Sequence, residues 1–509
     1  MGNVAIVTTV KPSIFLLALF CFILSGCAAN NRDVSEVANQ LRHNLPIETA
    51  LTKLEAIKVD KRSSAQHELN LGYLQLVSGD YQNAITNFEK AKQTMTSLQA
   101  ISISENLASA TVNETFRNYS GWPTDQVLVH GMMAMAYLLN NDLNGARVEV
   151  LQADVQMNKL AETDQTQGQL AFVRYLAGVI YELNDEYDSS LISYRMAFNI
   201  LTTRKETIPA PLQQSLIDLT SRVGLADESK DYQKQFSRGL SKHYTNKQFV
   251  FAFDGVVTQM QQAKSTLWWD IDDVYLSVAL PKFPRNNYVE YPFYIHSEEG
   301  EIVTQSIESI EKRAREDLQA RMPAISAMAL ARAGAKFQTV KELNKKDNVL
   351  GAFANILTIM SEVADLRHWS LLPSSIQIAI SYETTATLQL SSRYGQQFID
   401  AANGQQIEQV QEIEIYPLES TLTNNTTTDN STSDNQLSAE ESLEEAISRN
   451  HITESMTAKS RALHENILKV SPTTMKKTRT NIAKINNSTN KNAVVLLSSL
   501  TNKIHIASF

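Results

Sequence analysis

A frame of small and aromatic residues constrains this chain more than any other feature. It recurs over residues 65–98, 127–160 and 171–204. In the first copy Leu71-Gly72 falls in one helix-period segment and Gly79-Asp80-Tyr81 forms a turn. Ala84, Phe88 and Ala91 then share a face of the next segment. In the third copy Ala177-Gly178, Tyr181, Tyr187, Tyr194 and Ala197 hold the same places, with Ser190 where an alanine is expected. The middle copy runs through Ala134, Tyr137, Ala146 and Ala153, with Leu143 for the turn aromatic and Val150 for the second-helix aromatic. Small residues let two helices cross closely, and rings fill the space beside the crossing. The frame therefore predicts antiparallel helical hairpins. Residues 99–126 interrupt it as an insertion. Leu212, Leu216, Leu219 and Val223 recur at helical spacing and predict a further helix that closes the stack.

These residues resemble a tetratricopeptide repeat, whose period is about 34 residues. In repeats of that type the first helix of each hairpin lines a concave face. That face should carry Gln66, Leu69, Tyr73, Leu76 and Val77 in the first copy. In the third it should carry Phe172, Tyr175, Val179, Glu182 and Leu183. Leu69, Tyr73, Leu76, Phe172, Tyr175 and Val179 are the candidate partner-binding groove. Repeat grooves that clamp a peptide carboxylate are lined by lysine, arginine and asparagine; this lining is mostly apolar. Either the chain fills the groove itself, or the groove accepts an apolar helix or lipidic ligand from a partner.

The N-terminus indicates where the chain works. Met1 and Lys11 supply positive charge, Ile14 to Ile23 form a short apolar run, and Leu24-Ser25-Gly26-Cys27 follows. This resembles a bacterial lipoprotein signal peptide over residues 1–26, with Cys27 as the lipidated residue. The run is too short to span a bilayer comfortably. Ala28, Ala29 and Asn30 follow Cys27, without the aspartate that resembles an inner-membrane retention signal. The expected location is the outer membrane, lipid-anchored and facing the periplasm. The chain's two cysteines are Cys21 and Cys27. The mature chain therefore forms no intramolecular disulfide, thiolate zinc cluster or catalytic cysteine. A short polar spacer is expected after Cys27, then helical sequence with Asp33-Val34-Ser35-Glu36 as its cap, and a further helix after Pro46.

Near residue 247 the periodicity changes. Phe249 to Phe253, Val274 to Leu280 and Tyr291 to Ile295 read as strands. Helical sequence resumes over 303–363, broken or kinked at Pro323. Val349 to Val363 reads as a buried helix. Strand alternation returns at Ile376 to Ile380, Ala386 to Leu390 and Ile407 to Tyr416. From 418 onward, runs such as Asn424-Asn425-Thr426-Thr427-Thr428 build no core and predict a disordered tail whose later part is basic. The fold class is thus mainly α. A lipid anchor and tetratricopeptide-like hairpin stack occupy 27–240, an α+β domain 247–417, and a low-complexity tail 418–509.

Chemistry is sparse. The sequence contains no phosphate-loop or dinucleotide glycine pattern, no His-Glu-x-x-His and no Gly-x-Ser-x-Gly elbow. No catalytic residue, metal ligand or cofactor is assigned. A net charge of −9 gives no footprint for nucleic acid. Several strings together resemble a family of repeat-containing bacterial outer-membrane lipoproteins. They are Asn118-Tyr119-Ser120-Gly121, Leu128-Val129-His130, Leu280-Pro281-Lys282, and Ala364-Asp365-Leu366-Arg367-His368-Trp369 with Leu371-Leu372-Pro373. The likeness runs from the signal to about residue 416 and carries no activity with it. The Asp365–Trp369 string reads as an ion pair capping a helix end beside a packed tryptophan. The expected function is a non-catalytic periplasmic scaffold that binds envelope proteins through its repeats. The alternative is a hydrolase of envelope glycan or lipid with its site in 247–417.

Overall fold

The computed structural model describes residues 26–105, 118–162, 164, 166–241, 247–269, 274–285, 290–297, 300–346, 348–360, 362–382, 389–392, 395–400, 405–406, 492–501 and 504–509. Helix α1 (Gly26–Arg42) and helix α2 (Ile47–Ala56) lead into four hairpins. These are α3 (Ser64–Ser78) with α4 (Tyr81–Glu105), α5 (Pro123–Leu139) with α6 (Leu143–Ala161), α7 (Ala171–Leu183) with α8 (Tyr187–Thr203), and α9 (Ala210–Arg222) with α10 (Ala226–Phe236). The repeat frame is thus realised, and the expected closing helix is a complete hairpin. No spacer follows Cys27: the helix is already under way at Gly26, and Asp33 to Glu36 lie inside it.

The small residues act where the frame places them. A Cβ on Gly72 would stand 2.7 Å from the Phe88 ring, and one on Gly178 would enter the Tyr194 ring. Ser190, the departure from the frame, is buried and donates to the Gly178 carbonyl at 2.7 Å. A serine is tolerated there because its hydroxyl has a backbone acceptor.

The remaining elements fill the concave side. Strands β1 (Gln248–Asp254), β6 (Gln305–Ser309), β7 (Ser375–Ser381), β11 (Ala493–Ser498) and β12 (His505–Ser508) make one sheet in the order β12-β11-β1-β7-β6. Strands β1 and β11 run parallel, and the other neighbours are antiparallel. Successive strand residues face opposite ways. Phe249, Phe251, Phe253, Ile376, Ile378, Val494 and Leu496 therefore join the core of the helices. Val250, Ala252, Ala379, Val495 and Leu497 pack on Phe293 and Ile295 behind the sheet. A second sheet is ordered β10-β9-β8-β4-β5, from β4 (Tyr294–Ser297), β5 (Gly300–Val303), β8 (Gln389–Ser392), β9 (Gly395–Asp400) and β10 (Gln405–Gln406). Strands β2 (Gln261–Trp269) and β3 (Val274–Lys282) pair as a hairpin beside helix α11 (Ile310–Lys346) and helix α12 (Asn348–Met360). Pro323 does not end α11. Residue 319, whose carbonyl loses its helical partner there, is exposed and open to water.

Two expectations change. One hydrophobic core runs from Val34 through the hairpins to Ala507, so the stack and the 247–417 segment share a core instead of forming separate domains. The tail stops short of the C-terminus, because β11 and β12 complete the sheet. Residues 407–491, including the expected strand at 407–416, lie outside the described residues.

Polar contacts register the filling against the stack. A helix N-terminus leaves unpaired N–H groups and carries partial positive charge. Gln305 accepts from Ala210 N at 2.6 Å, Glu308 from Ala171 N at 2.7 Å, and Asp317 from Thr124 N at 3.0 Å. Residues along β6 and α11 thus cap α9, α7 and α5 in turn. The first hairpin is engaged by the loop before β7. Gln66 Nε2 donates to the His368 carbonyl at 2.7 Å, and Leu371 N donates to Asn70 Oδ1 at 2.9 Å. Trp369, 1% exposed, meets Phe88 edge-on. Asp365 pairs with Arg367 at 2.6 Å as read from sequence, and Arg367 also donates to the Arg62 carbonyl at 3.0 Å, within a short 3-10 helix over Lys61–Ser63.

The caps have a pH signature. Burial raises Asp317 from 3.8 to about 7, with Asp125 adding to the rise and the Thr124 N–H opposing it. Burial likewise raises Asp125 to about 6, against hydrogen bonds from Tyr119 and Trp122. Between pH 4 and 7 the folded chain therefore holds protons that the unfolded chain has released. These two carboxyls thus lower stability as pH rises through that window, whereas buried His368, held down to about 4, raises it over the lower part of the same window. Asp317→Asn keeps an acceptor for Thr124 N–H but has no charge to bury. Between pH 5 and pH 8 the variant's unfolding free energy from urea titrations should fall by about 3 kcal/mol less than that of the wild type. An unchanged pH slope in the variant would refute this role for Asp317.

Candidate functional site

The six groove residues read from sequence are brought together, and none is accessible. Leu69, Tyr73, Leu76, Phe172, Tyr175 and Val179 are all fully buried. Tyr73 stacks on Phe253 at 6.2 Å, Phe172 meets Phe251 and Phe253, and Tyr175 meets Phe251 at 6.0 Å. Glu182 is matched by Lys247 at 2.6 Å, both buried. The groove is filled by the chain itself, which excludes these residues as a partner surface in this conformation. The physical reason is the apolar lining: β1 supplies an apolar face of matching extent, and its burial is favourable at roughly 25 cal/mol per Å². The side chain of Cys27 lies outside the described residues; its backbone is the second position of α1.

The open surface is the outer side, formed by α4, α6 and α8. On α6 the buried face is Ala146, Val150, Ala153 and Met157, while Val148, Leu151 and Val155 occupy the opposite face. On α8 Ile192 and Met196 point out likewise. Exposure of these five ranges from 38% at Met196 to 67% at Val155. Their exposed neighbours include the uncharged Gln93, Thr96, Ser97, Asn144, Gln152 and Asn199, with the charged Lys159 and Asp188 further along α6 and α8.

Nearby charges are drawn sideways into pairs between helices. Arg147 meets Glu186 through two hydrogen bonds, one at 3.0 Å. Arg174 pairs with Asp154, and Arg195 with Glu228. Exposed apolar residues bordered by polar groups and paired charges match the apolar centre and polar rim of an interface.

Between α4 and α6 this face opens into a cavity of about 670 Å³. It is lined by Lys92, Gln93, His130, Val148, Leu151 and Val155, among others. His130 rises from α5 to its floor and is 8% exposed. Its Nδ1 lies 2.8 Å from Glu149 Oε2, and Lys92 Nζ lies 3.1 Å from Glu149 Oε1. Burial pulls the Lys92 ammonium down, but hydrogen bonds and charge from Glu89 and Glu149 outweigh it and hold the ammonium above its ordinary value.

Sequence reasoning missed this face. Its signal was present, since α6 is apolar on two opposite sides. Glu308 and Asp317 cap helices, and Glu311 accepts from Thr258 N at 2.7 Å. Among the described residues no three histidine, cysteine, aspartate or glutamate side chains group as a metal site. Among the same residues no helix is long and apolar enough to cross a membrane.

No family model matches the chain, and no curated protein matches it. Among solved structures, the apo form of RapI aligns over 37% of this chain and 45% of its own, at 11% identity and a TM-score of 0.28. The chain thus spans less than half the length of RapI. A MamA structure from Desulfovibrio magneticus RS-1 aligns over 42% of this chain and 93% of its own, at 16% identity and a TM-score of 0.26. Another MamA structure aligns over 37% and 85%, at 15% identity and a TM-score of 0.24. The tetratricopeptide-like character of the stack stands on its own hairpins and their glycine–ring crossings.

Proposed function

We propose that this chain is a lipid-anchored, non-catalytic scaffold of the cell envelope, held at the outer membrane facing the periplasm. It meets its protein partners through the outer face of α4, α6 and α8. The observation that carries this reading is the exposed apolar surface around Leu151, whose flanking charges are paired with one another, in a protein whose concave groove is already occupied. The anchor fits such a role. Val34, a buried residue, lies seven positions after Cys27 on one helix, about 10 Å at 1.5 Å per residue. Arg42 at the end of that helix donates to the Val256 carbonyl at 2.9 Å, which fixes α1 to the body. Lipid on Cys27 would therefore hold the folded body, and its outer face, close to the bilayer surface.

Photo-crosslinking in the native envelope tests the surface. Benzoylphenylalanine at position 151 should give a discrete adduct with a protein partner. Val155→Asp in the same chain should abolish the adduct, whereas a probe at buried position 175 should give none. Absence of an adduct at 151, or one that survives Val155→Asp, would count against the outer face. Radioactive palmitate should label the wild type and not Cys27→Ser; label retained by the variant rules out Cys27 as the anchor.

A further inference from the structure

We propose that the cavity between α4 and α6 seats an apolar helix of a partner protein by an aromatic anchor with an N–H or O–H donor, an indole or a phenol, which His130 Nε2 accepts. This rests on the outer face being the partner surface and adds what the partner must present. Glu149 receives the Lys92 ammonium on one oxygen and faces His130 Nδ1 with the other. A carboxylate so placed accepts at both oxygens, so in the neutral imidazole Nδ1 carries the proton and Nε2 is the acceptor. Several other polar groups of the site are already engaged. Lys92 reaches Glu89 at 2.6 Å, Gln93 donates to Glu89 at 3.0 Å, and Gln156 donates to Gln126 at 2.9 Å. His130 Nε2 forms no hydrogen bond among the described residues and lies in a side chain that lines the cavity.

Charge selects the anchor further. A carboxylate entering here meets Glu89 and Glu149, and an ammonium competes with Lys92 for them. A neutral donor on a large apolar body meets neither obstacle, and it covers Val148, Leu151 and Val155 while its polar edge reaches the floor. The volume lies within the range of about 300–1,000 Å³ typical of ligand sites, enough for several side chains from one face of a helix.

The test uses the full chain with two probes of one shape, indole and benzothiophene, which differ in having or lacking the N–H. Methyl resonances of Val148, Leu151 and Val155 report occupancy, and the Nε2 resonance of His130 reports the hydrogen bond. Indole should bind roughly fivefold tighter or more, because one buried hydrogen bond separates the two probes. It should shift the Nε2 resonance, and benzothiophene should not. In His130→Phe the preference should vanish; if that variant misfolds, the wild-type Nε2 resonance decides alone. Equal affinity for the two probes overturns the donor-anchor inference and leaves the outer-face reading to the crosslink at position 151. Failure of both probes to move the three methyl groups overturns the cavity as a site. A full chain that sediments as a dimer, and as a monomer after Leu151→Asp, overturns the partner helix in favour of a second copy.

Discussion

A chain that stops after Lys491 should not fold. The missing residues carry β11 and β12, and β11 lies between β12 and β1 in the main sheet. Val494, Val495, Leu496 and Leu497 are at most 1% exposed, and side chains of this size are worth about 1.5–3 kcal/mol each when fully buried. Four of them amount to roughly 6–12 kcal/mol, comparable with the whole stability of an ordinary domain. The polar losses add to this. His505 Nε2 donates to the Val77 carbonyl at 3.0 Å and its Nδ1 accepts from the Tyr81 hydroxyl at 2.6 Å, which ties the C-terminus to the first hairpin. Without β11 the parallel side of β1 is an open, apolar edge, which invites aggregation. The truncated chain should be insoluble, or soluble without a cooperative thermal transition by circular dichroism. A truncated chain melting within a few degrees of the full one would mean that the sheet does not depend on its last strands.

This is also where the sequence was least legible. Ala493 to Leu497 is a continuous apolar run of the kind that fits a strand buried on both faces. Its flanks of asparagine, threonine and lysine masked it, and its partner β1 lies far away in the chain, with nothing local to announce the pairing. The hairpins were legible because their constraint is local. Gly72 against Phe88 and Gly178 against Tyr194 each lie within one frame, and a frame repeats. Strand β1 was legible as well, since Phe249-Val250-Phe251-Ala252-Phe253 is strand sequence whatever covers it. What covers it is a tertiary fact. The apolar groove residues and the apolar face of β1 were both visible, and sequence left open whether they meet each other or a partner. The caps are harder still, because an aspartate at 317 carries no mark that assigns it to a helix starting near residue 123. The outer face, by contrast, was open to reading: Val148, Leu151 and Val155 repeat on the side of α6 that the repeat frame leaves to solvent.

Glu308→Ala should be among the most damaging single substitutions, because one carboxylate holds three elements. It is fully buried. Its Oε2 accepts from Ala171 N at 2.7 Å and Phe172 N at 3.4 Å, the first amides of α7. Its Oε1 lies 3.3 Å from Arg204 Nη1 at the end of α8 and 3.1 Å from Arg313 Nε on α11. The Arg313 contact lacks the alignment of a hydrogen bond, so it acts through charge. Removing the carboxylate leaves two largely buried guanidinium groups short of a counter-charge and a helix start uncapped. Breaking a buried pair on one side costs about 3–5 kcal/mol. Glu206, which also pairs with Arg313, softens the loss for that arginine but not for the α7 amides. Glu308→Gln restores an acceptor for Ala171 N–H and no charge, so its loss should fall between wild type and alanine. Urea unfolding should show both midpoints lowered at an unchanged slope, alanine the more. Hydrogen exchange should show Ala171 and Phe172 amides losing protection selectively in the alanine variant. A loss below 1 kcal/mol in Glu308→Ala would mean that water replaces the carboxylate, and that β6 and α11 are held to the stack by their apolar contacts alone.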